Sequence, residues 1–379
     1  MSSDKPLVSV IIPAYNAASL IERTLRSVLS QTYQNLEILV VDDGSTDQTP
    51  EVVTAIAHQD SRLQLLHQTN AGVAAARNLA IAHAQGEFVA PIDADDLWHP
   101  QAVEKLMERL QDAGDNTAVA YAWSIDIDEQ DQSLGIIHAD MVQGNVLKTL
   151  LCHNFIANAS ATLIRRRCLD QVGYYDPQLK AQNAQGCEDW DLYLRLAIHF
   201  QFAVVPEVLV GYRKVSSSMS GDFDQMARSH LLMLEQVRQK CPTLSPLLFH
   251  LSCSSFYIYF AHQCYAYGKP HKTLYWLSQA LQAEPVTPLI RPGFYRLGLF
   301  SLWQIWQQRE HSTKVDSAKG KIETLRVADP SEPTPSGSIS HSSLFATFPL
   351  NIAQSPSLLA FLRLRLFVGH LLHLSLAYL

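Results

Sequence analysis

Apolar residues follow two alternating periods over the first hundred positions. Residues 7–12, 36–41, 63–67 and 87–92 are short β-branched or aliphatic runs of the kind that form buried strands. Between them, residues 18–30, 48–57 and 72–84 carry apolar side chains at helical spacing, with Leu20, Ile21, Leu25, Val28 and Leu29 along one side of the first. Pro13 is expected to end the first strand. Such alternation predicts an α/β fold with a mainly parallel central sheet and helices on both faces. Residues 100–215 are less regular, with a helix at 101–110, a strand at 118–125, a helix at 187–200 and short strands at 203–205 and 208–212. From about 222 the pattern is helical. Residues 256–267 and 271–282, parted by Gly268-Lys269-Pro270, predict one tetratricopeptide-like hairpin without a second copy to make an array.

The predicted strands share a second feature. Polar clusters follow their carboxyl ends: Tyr15-Asn16, then Asp42-Asp43-Gly44-Ser45, then Asp93-Ala94-Asp95-Asp96. Ligands of open α/β sheets bind at that edge.

Composition narrows the partners. The chain has 379 residues, 47% of them apolar and 17% charged, with a formal net charge of −7. A phosphate-tracking surface needs excess Lys and Arg, so nucleic acid is excluded as the main partner, though a single nucleotide is not. The six cysteines form no C-x-x-C pair and point to reduced thiols in a cytoplasmic setting. The polar start, residues 1–6, carries no secretory signal. No segment reaches the roughly 20 uninterrupted apolar residues of a membrane span.

Three carboxylates within four residues, Asp93, Asp95 and Asp96, repel one another with no basic residue nearby in sequence. Hard oxygen ligands of this kind suit Mg²⁺ or Mn²⁺, above all an ion shared with phosphates. The plainer alternative is an acidic loop with one Asp capping the next helix. Asp43 could accept from a base N–H or a ribose hydroxyl, or simply shape a turn. Tyr15 offers a ring for base stacking. Arg77, alone in an Ala-rich helix, is either a solvated face residue or a fork for a diphosphate. Glu188-Asp189 and Asp191 would complement a helix dipole, or one of them would be a general base.

Taken in order, these segments resemble glycosyltransferase family 2, inverting enzymes of the GT-A fold, over about residues 7–221. The match rests on Val10-Ile11-Ile12-Pro13-Ala14-Tyr15-Asn16, Val41-Asp42-Asp43-Gly44-Ser45-Thr46-Asp47, Asn70-Ala71-Gly72 through Arg77-Asn78, Asp93-Ala94-Asp95, and Glu188-Asp189. The resemblance implies a role for each position. Pro13, Tyr15, Asp43, Arg77 and Asp93 would hold the donor, Asp95 with Asp93 the Mg²⁺ or Mn²⁺, and Asp189 would be the catalytic base. It implies transfer of a sugar from a nucleotide-diphosphate sugar, by default a UDP-sugar, to an acceptor hydroxyl with inversion, in glycan or polysaccharide synthesis on a glycan or lipid-linked acceptor. The chain departs from the pattern at Val215, which stands where many relatives carry a His able to approach the metal. Val cannot coordinate; Lys214 and the following serines could meet phosphate instead.

A nucleotide-sugar-binding regulatory protein without turnover would keep Asp43 and Asp95 but not need the base. A Rossmann dehydrogenase would need G-x-G-x-x-G where Pro13-Ala14-Tyr15-Asn16 stands. A sugar nucleotidyltransferase would need a Gly-rich basic loop there. The expected domains are 1–221 for the GT-A glycosyltransferase unit, 222–310 for an α-helical extension, 311–343 for a Ser- and Pro-rich disordered linker, and 344–379 for an apolar C-terminal helix. That last helix, with Arg363 and Arg365, suits peripheral contact with the inner face of a membrane.

Overall fold

The computed structural model describes residues 5–215 and 222–319, with the side chains of its last helix as far as 308. Strand and helix alternate first as β1 (Val8–Ala14), α1 (Ile21–Leu29), β2 (Leu36–Asp42), α2 (Thr49–Ala57), β3 (Leu63–His67), α3 (Val73–His83) and β4 (Phe88–Pro91). β1 pairs in parallel with β2 and β4, and β2 with β3, which gives the order β3-β2-β1-β4. Central parallel strands are covered on both faces and so read as continuous apolar runs. Val10, Ile11 and Ile12 of β1 and Ile38, Leu39, Val40 and Val41 of β2 are buried accordingly. The helices seat apolar stripes on this layer, Ile21, Leu25 and Val28 at i, i+4 and i+7 in α1.

β1 does not stop at Pro13 as expected. It runs on to Ala14, with Pro13 opposite Val41 of β2. β4 pairs with β1 only as far as Ile11. Beyond that point the β4 side of β1 asks for no donor, so a residue without an N–H costs no ladder bond.

The second half continues through β5 (Leu97–Trp98), α4 (Ala102–Asp112), β6 (Thr117–Ile127), β7 (Ser133–His138), α5 (Leu147–Cys152), β8 (Thr162–Arg165), α6 (Arg166–Val172), α7 (Gln178–Ala181), α8 (Glu188–His199) and β9 (Gln201–Arg213). β8 is antiparallel to both β4 and β6, β6 is parallel to β9, and β5 is antiparallel to β9. Among the described residues the sheet has nine strands, in the order β3-β2-β1-β4-β8-β6-β9-β5 with β7 on β6. Residues 203–205 and 208–212 belong to one strand, β9. Its register against β6 slips between Val205 and Val208, on either side of Pro206.

α9 (Phe223–Lys240) buries Phe223, Met226, Met233, Leu234 and Val237 within the first compact unit, which extends to Leu244. A second unit begins at Ser245 and contains α10 (Pro246–Ala266), α11 (Pro270–Ala283), α12 (Val286–Ile290) and α13 (Pro292–Lys319). α10 and α11 form the expected hairpin, turning at Gly268 with φ +65° and joined by the Phe260 and Trp276 rings 4.9 Å apart. The six cysteines form no disulfide. No helix among the described residues is long and apolar enough to cross a membrane. The segment expected to be apolar, 344–379, lies outside the described residues, as does the linker beyond Lys319.

Candidate active site

The carboxyl ends of β1, β2 and β4 share one edge of the sheet, and the polar clusters meet there. Hydrogen bonds between loops fix the segment after β1 against the segment after β2. Asn16, in the left-handed region at φ 49°, donates its N–H to Ser45 Oγ at 2.9 Å, and its Oδ1 accepts from Thr46 N at 2.8 Å. Asp47 ties both segments, accepting from Ala18 N at 3.1 Å and from Thr49 N at 3.0 Å. This clasp presents Tyr15, 52% exposed, beside the end of β2. Pro13, two residues earlier in β1, is half-buried.

Asp43 is buried and already engaged. It accepts from Gln68 Nε2 at 2.6 Å, Ala71 N at 2.7 Å and Gly72 N at 2.8 Å. Its carboxylate therefore anchors the approach to α3, and one lone pair on Oδ2 remains for a ligand. Gly44 serves the same junction, with φ +75° and only 3.0 Å from a prospective Cβ to Asn70 N.

α3 decides between the two readings of Arg77. Ala74, Arg77, Ala80 and Ile81 form its buried face, and the small alanines let the helix lie close on the sheet. Arg77 is only 3% exposed. Its Nη2 donates to Asp93 Oδ1 at 2.6 Å, and its Nη1 donates to Asp189 Oδ1. Burial alone would lower the guanidinium's affinity for its proton, but Asp189 and Asp93 outweigh it and hold the cation firmly. The Tyr175 ring lies 5.0 Å from the guanidinium centre. Arg77 Nε and the Tyr175 hydroxyl are buried with no hydrogen-bond partner among the described residues.

Asp189 lies in the first turn of α8, and 26% of its side chain remains open to solvent. Burial pushes its carboxyl above the usual range; Arg77 opposes that shift and Asp93 adds to it. Asp191, two residues on, is different. Its Oδ2 accepts from Arg195 at 2.9 Å, and Arg195 donates to the carbonyls of Val172, Gly173 and Tyr174. That network holds the loop on which Tyr175 sits.

The acidic turn after β4 divides its labour. Asp96 is fully buried and accepts from Ser160 Oγ at 2.5 Å and from Arg213 N at 2.8 Å, so it ties the turn to β9 rather than capping a helix. Ser160 Oγ in turn accepts from Asp93 N at 3.0 Å. Arg213 donates through Nε to Asp95 O at 2.6 Å and through Nη2 to Asp131. No side chain among the described residues hydrogen-bonds the Asp95 carboxylate. Burial and the neighbouring Asp93 push it up to about 6, partly offset by Arg213 and Lys214. Among the described residues no three His, Cys, Asp or Glu side chains form a metal cage. An under-compensated carboxylate beside Asp93 fits a hard cation that takes its remaining ligands from phosphate and water. Lys214 Nζ lies 3.9 Å from Asp126 Oδ2 and 3.8 Å from the Tyr212 ring centre. The serines after Val215 lie outside the described residues.

Arg77, Asp93 and Asp189 thus come together, with Asp95 beside them, while Tyr15 and Asp43 stand at the adjoining strand ends. Tyr175, Ser160, Asp96 and Asp131 complete the arrangement. The first two carry no local sequence signal, because each acts across more than 60 positions.

Residues 9–173 match the family model described as glycosyl transferase family 2. The glycosyltransferase GlyG of Streptococcus pneumoniae is 38% identical over 121 residues, which cover 32% of this chain and 40% of that one. The chondroitin synthase of Pasteurella multocida is 43% identical over 108 residues, 28% of this chain and 11% of that one. The chain thus spans less than half the length of either relative. Among solved structures, Staphylococcus aureus TarS 1–349 in complex with UDP-GlcNAc has a TM-score of 0.54 at 18% identity, covering 85% of this chain and 95% of that one. That likeness is one of fold.

Proposed function

We propose, since residues 9–173 match the model of glycosyl transferase family 2 and the sheet has the GT-A fold, that this chain moves a sugar from a UDP-sugar to an acceptor hydroxyl with inversion. The observation that carries this reading is the Arg77 bridge between Asp93 and Asp189. One cation joins a carboxylate of the donor side to a carboxylate able to act as base.

In this reading Tyr15 stacks on the base, and the free lone pair of Asp43 Oδ2 receives one of its N–H groups. Pro13 shapes the floor of that pocket. Arg77, its fork spanning Asp93 and Asp189, sets those two carboxylates in place and adds its positive charge to the diphosphate side of the site. Asp95, with Asp93, would hold Mg²⁺ or Mn²⁺, which as a Lewis acid would offset charge growing on the leaving diphosphate. Asp189 keeps one oxygen on Arg77 and takes the acceptor's proton on the other. Its burial raises its basicity, while Arg77 keeps it ionised. The acceptor would be a glycan or a lipid-linked sugar, within polysaccharide synthesis. The chain's division into a transferase unit and a helical extension is part of the same proposal.

Release of nucleotide from a panel of UDP-, GDP- and dTDP-sugars tests it. The expected result is turnover with a UDP-sugar and Mg²⁺ or Mn²⁺. Tight UDP binding with no turnover on any donor and acceptor would instead favour a regulatory nucleotide-sugar-binding protein.

A further inference from the structure

Among the described residues, α13 packs one side and leaves an apolar stripe exposed on the other. Leu297 and Ser301 are buried on the side toward α11. Tyr295, Leu299, Leu302, Trp303 and Trp306 follow at i, i+4, i+7, i+8 and i+11, within about 100° of one another around the axis. All five lie on the exposed side, Leu299 at 68% and Trp306 at 55%. Ile290, at the end of α12 and just before α13 in the chain, is 72% exposed. Soluble surfaces scatter single apolar residues, but a contiguous stripe of this size marks an interaction site.

Its chemistry separates the candidate partners. From Pro285 to Arg309 there is no Asp or Glu, although the whole chain carries −7. Among the described residues the exposed charges beside the stripe are Arg296 and, in the link before α13, Arg291, which also faces the buried Glu284. Trp303 and Trp306 have an apolar ring body and an N–H, the combination that settles at the boundary between lipid headgroups and acyl chains. No described helix is able to span a bilayer, so such a helix would lie in the interface.

We propose that the α12–α13 face of the helical unit binds the surface of an anionic lipid bilayer. The aliphatic and aromatic stripe enters the acyl boundary, and Arg291 and Arg296 meet the headgroup phosphates. This surface belongs to the second compact unit, and the proposal does not depend on how the nucleotide-sugar site works. It also differs from the apolar segment 344–379, which lies outside the described residues.

Flotation of the full chain with vesicles tests it, using phosphatidylcholine alone and phosphatidylcholine mixed with phosphatidylglycerol. The full chain should float with the mixed vesicles and much less with the neutral ones. Combining Leu299→Ser, Trp303→Ser and Trp306→Ser should cut bound protein by about tenfold or more. All three side chains are exposed, so an unchanged circular dichroism spectrum is expected with it. Deleting 344–379 should leave flotation in place. The proposal fails if the full chain does not float, or if the triple variant floats as the parent does. It fails equally if deletion of 344–379 alone abolishes binding. Concentration-dependent self-association that the triple variant removes, without flotation, would assign the stripe to a second copy of the chain.

Discussion

A carboxylate works as a base only if it stays ionised and keeps one oxygen free. Asp189 meets both conditions, with one oxygen on Arg77 and 26% of its side chain open. Asp191 is paired with Arg195 and only 4% of its side chain is open, so an acceptor hydroxyl does not reach it. The two should therefore fail differently. Asp189→Asn keeps the shape and is expected to lower turnover by about 10²-fold or more, with UDP affinity nearly unchanged. Asp191→Asn breaks a buried pair and should cost about 3 kcal/mol of stability, because Arg195 loses its counter-charge. Steady-state kinetics, UDP titration and thermal unfolding of both variants check this. Equal loss of turnover in a well-folded Asp191→Asn would reverse the assignment. Asp95 gives a second contrast. Asp95→Ala should abolish activity and weaken UDP binding, and EDTA should do the same to the parent. Full activity of Asp95→Ala in excess EDTA would remove the metal from the reading.

Elements place these residues, and some of the placement was legible. The carboxyl ends of β1, β2 and β4 were marked by their polar clusters, because a buried parallel strand must be apolar until it leaves the core. Arg77 was ambiguous by spacing, since a lone Arg among alanines fits either face; only the packing of α3 puts it inward. Tyr175 and Ser160 were not legible, because their partners come from other elements. α8 and α9 carry a further consequence. His230 of α9 packs on Trp190 of α8 with ring centres 5.0 Å apart, and burial lowers its pKa from 6.5 to about 3. The folded chain holds it neutral, whereas the unfolded chain takes up its proton below about 6.5. Its contribution to stability is therefore full above that pH and lost as pH falls toward 3, by up to about 1.4 kcal/mol per pH unit. Glu188 and Asp191 shift upward and act in the opposite sense, so a difference measurement is needed. Unfolding midpoints of the parent and His230→Phe, measured at about pH 7 and pH 5, should diverge in the variant's favour at the lower pH. Parallel changes in the two proteins would show that His230 does not carry the effect.

At the scale of the whole molecule, local periodicity reached its limit at the mixed half of the sheet. β8 enters antiparallel between β4 and β6, and nothing in its four residues announces either neighbour. The boundary expected between the first unit and the helical extension shows the same limit. The apolar pattern turns helical at 222, which places the division there, yet α9 contributes to the first compact unit. Its contacts explain why. Met226 O lies 3.7 Å from Cys187 Sγ, and Arg228 Nε donates to Asn183 O at 2.9 Å. Gly186 has φ +111°, and a Cβ there would come within 2.6 Å of Met226 Cγ, so the loop leading into α8 is shaped around α9. We therefore expect a fragment 1–244 to fold and bind UDP, and a fragment 1–221 to do neither well. Removing α9 would uncover Trp190 and Cys187 beside Asp189, at a cost of about 1.5–3 kcal/mol for each large apolar side chain exposed. Denaturant unfolding and UDP titration of the two fragments check this. Equal stability and equal UDP affinity would show that α9 is a passenger and return the boundary to 221.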